Sequence, residues 1–150
     1  AKAENYSHAW LLSHRPIWAA KEGVKGKRDQ FRMLNATLQK AWQAAPIPGI
    51  ELIVAGHTHL FELLSFKEPF PPQAVIGNGG TKLAHKITTE LRGQKIGGAT
   101  VSNSNSLDDF GFAVMEARAS GGWSLQLHDS TGQKNLRCVI EERQTNCESH

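Results

Sequence analysis

No run of 18 apolar residues occurs in this sequence, so no segment of it has the length to cross a bilayer as a helix. Cysteine is scarce, with two among 150 residues, which excludes a small scaffold held together by many disulfides. Charge of either sign is nearly balanced: 17 Lys and Arg against 14 Asp and Glu leave +3. The one local basic cluster, residues 21–28 (KEGVKGKR), reads as a solvated loop rather than a nucleic-acid-binding patch. There is no internal repeat, and the opening AKAENYSHAW has neither a basic n-region nor an apolar h-region. The glycine-rich GNGG at 77–80 lacks the GK[ST] that would make it a phosphate-cradling Walker loop. What is present is ordinary globular usage, 39% hydrophobic and 21% charged, in a chain long enough for one domain over residues 1–150.

Hydrophobic patterning places the elements. Residues 9–13 (AWLLS) form an apolar run that fits a buried strand, and HRP ends it because proline cannot continue a ladder. From 28 to 45, Phe31, Leu34, Leu38, Trp42 and Ala45 recur at helical spacing until PIPG stops the pattern. Residues 51–56 (ELIVAG) read as a second buried strand ending at His57, and 60–66 (LFELLSF) as a third. The run 73–83 passes from strand into a glycine-rich bend where positive φ is expected. Residues 92–109, rich in Gly, Ser, Asn and Thr, predict a long surface loop, and 100–109 is a candidate pocket wall. The segments FGFAVMEAR, GWSLQLHDS and NLRCVIEER then alternate apolar and polar residues, as an antiparallel meander does. The fold class expected is α/β and β-rich, α/β in front and antiparallel β behind. Cys138 and Cys147 are spaced so that a hairpin would close them into a disulfide, with two free thiols as the alternative; an even count mildly favours an oxidising compartment, periplasmic or extracellular.

The stretch VAGHTHLFE (54–62) carries the chemistry. On an extended segment His57 and His59 would point to the same side. Imidazole is the commonest protein ligand for borderline metals, and Gly56 would let the backbone approach an ion. His14 ends one apolar run and His57 another with a helix between, so parallel strands would bring both to one sheet edge, where open α/β folds build sites. The other reading of an isolated H-x-H is a pair of turn histidines with ordinary hydrogen bonds. His8, His85, His128 and His150 lack a strand-end context and are assigned no role.

A lone His in LLSHRPIW, then VAGHTHLFE 43 residues on, then VIGNGGT, resembles the calcineurin-like metallophosphoesterases, whose order is D-x-H, G-D, G-N-H-[DE], a lone His, and G-H-x-H. The metallo-β-lactamase and cupin H-x-H patterns do not fit. The resemblance implies the C-terminal half of a metallophosphoesterase β-sandwich of α/β/β/α type. It implies that His14 and His57 ligate one metal and His59 the other, with two divalent ions (Mn, Fe or Zn) in a complete site and a weakly held or single ion in this chain alone. It implies a phosphorylated substrate, for which Arg15 is the candidate phosphate contact, against the plainer reading of a solvent-facing arginine. No D-x-H, G-D or G-N-H-[DE] occurs, and Gly79 stands where the family's catalytic histidine would be, so no general acid is assigned. Those blocks are expected ahead of Ala1, the N-terminus being read as a cut. The implied partner is therefore an N-terminal half or a second chain, without which this chain would have little activity. The competing expectations are a β-rich binding module with a relic metal site and a protein with one His-ligated ion; neither a nucleic-acid nor a membrane partner is indicated.

Overall fold

The computed structural model describes residues 8–20 and 35–149. The basic cluster at 21–28, the first part of the expected helix through residue 34, and His150 lie outside the described residues.

Ten strands and one helix are present among the described residues. The first sheet contains β1 (Ala9–Ser13), β2 (Ile50–Ala55), β3 (Phe61–Phe66), β4 (Gln73–Ile76), β5 (Lys95–Ile96) and β6 (Ala99–Leu107), in the order β1-β2-β4-β3-β6-β5. The pairs β1–β2 and β2–β4 are parallel, while β4–β3, β3–β6 and β6–β5 are antiparallel. The C-terminal ends of β1, β2 and β4 therefore share one edge, as the two apolar runs ending in histidine predicted. The second sheet contains the three expected meander strands, β7 (Gly111–Ala117), β8 (Trp123–Asp129) and β9 (Lys134–Glu141), and a fourth, β10 (Gln144–Ser149), antiparallel throughout.

The first sheet has apolar side chains on both faces, which explains the continuous rather than alternating runs of β2 and β3. One face, with Leu52, Phe61, Leu63 and Ala74, packs on Leu125, Leu127, Leu136, Cys138 and Ile140 of the second sheet. Trp10 and Trp123 meet edge to face there, ring centroids 4.5 Å apart, and Ser65 and Thr145 bond across the interface at 2.5 Å. The opposite face carries Ile53, Leu64 and Phe66 against α1 (Ala36–Ala44) and the buried segment 16–20. Asn35 caps the helix by accepting from the Leu38 amide at 3.1 Å. The result is a β-rich helix–sheet–sheet sandwich, consistent with the fold class read from the sequence.

The Pro16–Ala20 segment has no ladder partners, yet it is buried beside Trp42. Buried backbone without regular pairing must find side-chain partners. Gln73 accepts from the Ile17 and Trp18 amides at 2.8 and 3.2 Å and donates to the Trp18 carbonyl, Gln39 donates to the Ile17 carbonyl, and Glu62 accepts from the Ala20 amide at 3.1 Å. Gln39, a polar residue of α1, is thereby buried.

The loop expected over 92–109 is instead a hairpin of β5 and β6. Low intrinsic strand propensity is overridden because β6 pairs with β3 and its polar side chains find partners. Asn103 donates to the Thr145 carbonyl at 3.0 Å, Ser102 to Gln144 at 3.1 Å, and Ser106 accepts from the Ile87 amide at 3.1 Å. The bend at 77–80 also differs from expectation, since none of its glycines has positive φ. Gly77 is there for close approach: a Cβ on it would stand 1.9 Å from the Thr58 carbonyl oxygen.

Cys138 and Cys147 face each other across β9 and β10 and form a disulfide. No helix among the described residues is long and apolar enough to cross a membrane.

Candidate metal centre

The edge where β1 and β2 end is built by backbone before side chains matter. The Gly56 amide donates to the His14 carbonyl at 3.2 Å, tying the two strand ends together. Beyond it the chain makes two successive three-residue turns, with Thr58 N–H on the Gly56 carbonyl and Leu60 N–H on the Thr58 carbonyl, both at 2.8 Å. His57 is the centre of the first and has φ of 69°, a conformation that non-glycine residues adopt only when their surroundings impose it. The H-T-H stretch is therefore a double turn and not the extended segment expected. Gly56 has ordinary φ, and a Cβ there would meet only the His14 carbonyl at 3.9 Å, so the strained residue is the histidine itself.

This turn gives the two histidines different partners. Nδ1 of His57 stands 3.2 Å from Nε2 of His14, with the rings edge to face and their centroids 5.1 Å apart. Nδ1 of His59 stands 3.0 Å from the Lys82 carbonyl oxygen. A carbonyl only accepts, so that bond fixes the His59 proton on Nδ1 and leaves Nε2 with a lone pair. The Ala84 amide returns a bond to the His59 carbonyl at 2.8 Å, stitching segment 81–84 to the turn. Thus the structure brings His14 and His57 together and holds His59 on the same turn against a separate backbone partner. Among the described residues no group of three His, Cys, Asp or Glu side chains is placed to hold a metal ion.

Electrostatics favour the neutral form of His57. Its pKa is lowered by partial desolvation at the turn, then by the positive charge of Arg15 and by the His14 and His59 rings. Arg15 is exposed beside His14. A pocket of about 450 Å³ opens at this edge, lined by His57, Thr58, His59, Thr81, Lys82, Leu83 and Ala84. Residues 100–109, the wall expected from composition, do not line it. The signal for 81–84 was available in the topology, since β4 runs parallel to β2 and the loop after it must emerge at the same edge.

His8 and His128, outside the edge, have plain partners. His8 bonds Glu51 at 2.7 Å, and His128 bonds the Gly132 carbonyl at 2.9 Å while stacking on Phe112. Glu62 escaped notice in the sequence. It is fully buried, its pKa is pushed up to about 8 by burial, and its Oε2 has no hydrogen-bond partner among the described residues.

No protein-family model and no curated protein matches this sequence. In three dimensions the chain is similar to the structure of purple acid phosphatase PPD1 isolated from yellow lupin (Lupinus luteus) seeds, with a TM-score of 0.58 and 18% sequence identity. The match covers 99% of this chain and 26% of the lupin chain, so the chain spans about a quarter of that protein's length. At this identity the likeness establishes the fold alone: the β-rich sandwich described above also occurs within that phosphatase.

Proposed function

We propose that this chain supplies the histidine side of a metal-dependent phosphoester hydrolase, His14 and His57 holding one divalent ion and His59 a second. The observation that carries the reading is the 3.2 Å between Nε2 of His14 and Nδ1 of His57. Two nitrogens each about 2.0 to 2.1 Å from one ion stand roughly 2.9 to 3.4 Å apart, so the separation of this pair is that of two ligands on one cation. The His59 ring supports it independently, because a ligand histidine characteristically donates its other N–H to a carbonyl or carboxylate, as Nδ1 does to Lys82.

Bound ions of this kind lower the pKa of a water and offset charge on phosphoryl oxygens. The chain's own residues hold imidazoles at a shared edge, with Arg15 beside them to meet an anionic substrate. Three neutral ligands cannot offset two dications, and no carboxylate joins them among the described residues, so an N-terminal half or a second chain is the proposed source of the remaining ligands. The Cys138–Cys147 disulfide supports an oxidising compartment, periplasmic or extracellular. One observation favours a competing reading, a β-rich binding module with a relic site: no three-ligand group stands among the described residues.

The test is release of p-nitrophenol from p-nitrophenyl phosphate with Mn, Fe or Zn present, using the chain alone and joined to a segment that carries D-x-H, G-D and G-N-H-[DE]. Activity that needs both the added segment and His57 supports the hydrolase. No activity in either form supports the binding module.

A further inference from the structure

We infer that Glu62 is a pH-operated latch on the buried segment 16–20, which it holds closed while its carboxyl carries a proton and lets open to water once that proton has gone. The inference concerns the face covered by α1 and does not rest on the hydrolase reading. The backbone of segment 16–20 pairs with no strand, so side chains from other elements hold it. Gln73 of β4 serves the Ile17 and Trp18 amides and the Trp18 carbonyl, and Gln39 of α1 serves the Ile17 carbonyl. The far end is held by Glu62 of β3, whose Oε1 accepts from the Ala20 amide at 3.1 Å. All three side chains are buried, and Glu62 is the one that ionises.

The acid form fits this place and the anion does not. With Oε1 engaged by the amide, the proton sits on Oε2, which has no hydrogen-bond partner among the described residues. In the ladder Glu62 stands opposite Val75 of β4 and Ser106 of β6, and Ser106 in turn accepts from the amide of Ile87, which packs on the same core. None of Val75, Ser106, Ile87 and Ala20 titrates. Burial, and not a neighbouring charge, pushes the carboxyl up to about 8. Loss of the proton to water leaves a buried carboxylate with a single amide donor and no counter-charge acting on it from the described residues, a state that hydration stabilises far better than this interior does. What gives way is the element with the fewest ties. β3 is paired on both sides, whereas segment 16–20 has the side-chain bonds above and its apolar packing, with the Trp18 ring centroid 5.9, 5.1 and 5.5 Å from those of Trp42, Phe66 and Phe70. Lifting that segment lets water reach Glu62 without breaking either ladder.

The experiment is amide hydrogen exchange of the 15N-labelled chain between pH 5 and 9, each rate divided by its intrinsic rate to give an opening constant. The constants for Ile17, Trp18 and Ala20 should rise by up to about tenfold per pH unit from pH 5 to 8 and level off above, because the open state sheds a proton that the closed state keeps. Amides of the β3 ladder, such as Leu63 and Leu64, should show no such rise, and Glu62→Gln should remove it from segment 16–20. Constants that stay flat in the parent chain, that rise equally in segment 16–20 and in β3, or that rise unchanged in Glu62→Gln overturn the latch. Should Glu62→Gln fail to fold, 13C titration of the Glu62 carboxyl in the parent decides. A midpoint that coincides with the levelling of the opening constants supports the latch, and one in the ordinary carboxylate range overturns it.

Discussion

Nε2 of His14 and Nδ1 of His57 lie 3.2 Å apart although the two residues are 43 positions apart in the chain. What joins them is the parallel pairing of β1 and β2, with Ser13 opposite Ala55, and the Gly56 amide on the His14 carbonyl. Their proximity is thus a property of the sheet and survives substitution of either ring. His14→Ala and His57→Ala should each weaken cobalt binding at least about tenfold, since removing even an outer-shell partner costs that much. His85→Ala, an exposed position off the strand ends, should leave it unchanged. Optical titration with cobalt measures all three; equal affinity in the three variants would contradict the assignment.

The close approach of Gly77 to Thr58 gives a second prediction. A methyl group at 77 would collide with the Thr58 carbonyl oxygen at 1.9 Å, and both residues lie in backbone that is tied by hydrogen bonds. Gly77→Ala should cost about 1 to 3 kcal/mol and weaken metal binding by displacing the H-T-H turn. Gly80→Ala meets nothing within 4 Å and should be close to neutral. Urea unfolding midpoints and cobalt affinity of the two variants check this.

Glu62 makes stability depend on pH in a stated direction. Its folded pKa is about 8, raised from an ordinary 4.5 by burial, so between those values the native state binds a proton that the unfolded state releases. Stability linked to this group is fully present below pH 4.5 and is lost as pH rises through 8, at up to about 1.4 kcal/mol per pH unit. Glu62→Gln keeps an oxygen for the Ala20 amide and cannot ionise. It should therefore match the parent near pH 5 and exceed it increasingly toward pH 9. Thermal midpoints across that range would contradict the argument if the two proteins stayed parallel.

The parallel edge and the histidine pair were legible because continuous apolar runs mark strands buried on both faces, and each run ended in histidine. The meander was legible from its alternation, and the disulfide from the spacing of its cysteines. Where reading failed, tertiary partners decided. Ser102, Asn103 and Ser106 carry loop chemistry in isolation but lie on a strand because β3 lies beside them. The extended geometry assumed for H-T-H was wrong because two local turns, one with His57 at positive φ, replace it. Glu62, Gln73 and Gln39 serve backbone groups of a distant segment, and no local pattern encodes that. The wall at 81–84 follows from strand order, which the sequence leaves open.

The disulfide closes a short loop between paired strands, with a sequence separation of 9. A loop of that size constrains the unfolded chain by roughly 2 to 3 kcal/mol. Replacing both cysteines with serine should lower the unfolding free energy by about that amount, as read from urea melts. Because the bridge lies in the second sheet, cobalt affinity at the histidine edge should be unaffected.

The most direct test is manganese-induced paramagnetic broadening in the 15N-labelled chain, read at the histidine ring nitrogens. Mn(II) added in small amounts should broaden His14, His57 and His59 first and leave His8 and His128 sharp. Uniform broadening across all the histidines, or loss of signal centred on His8 or His128, would contradict a cation site at the β1–β2 edge.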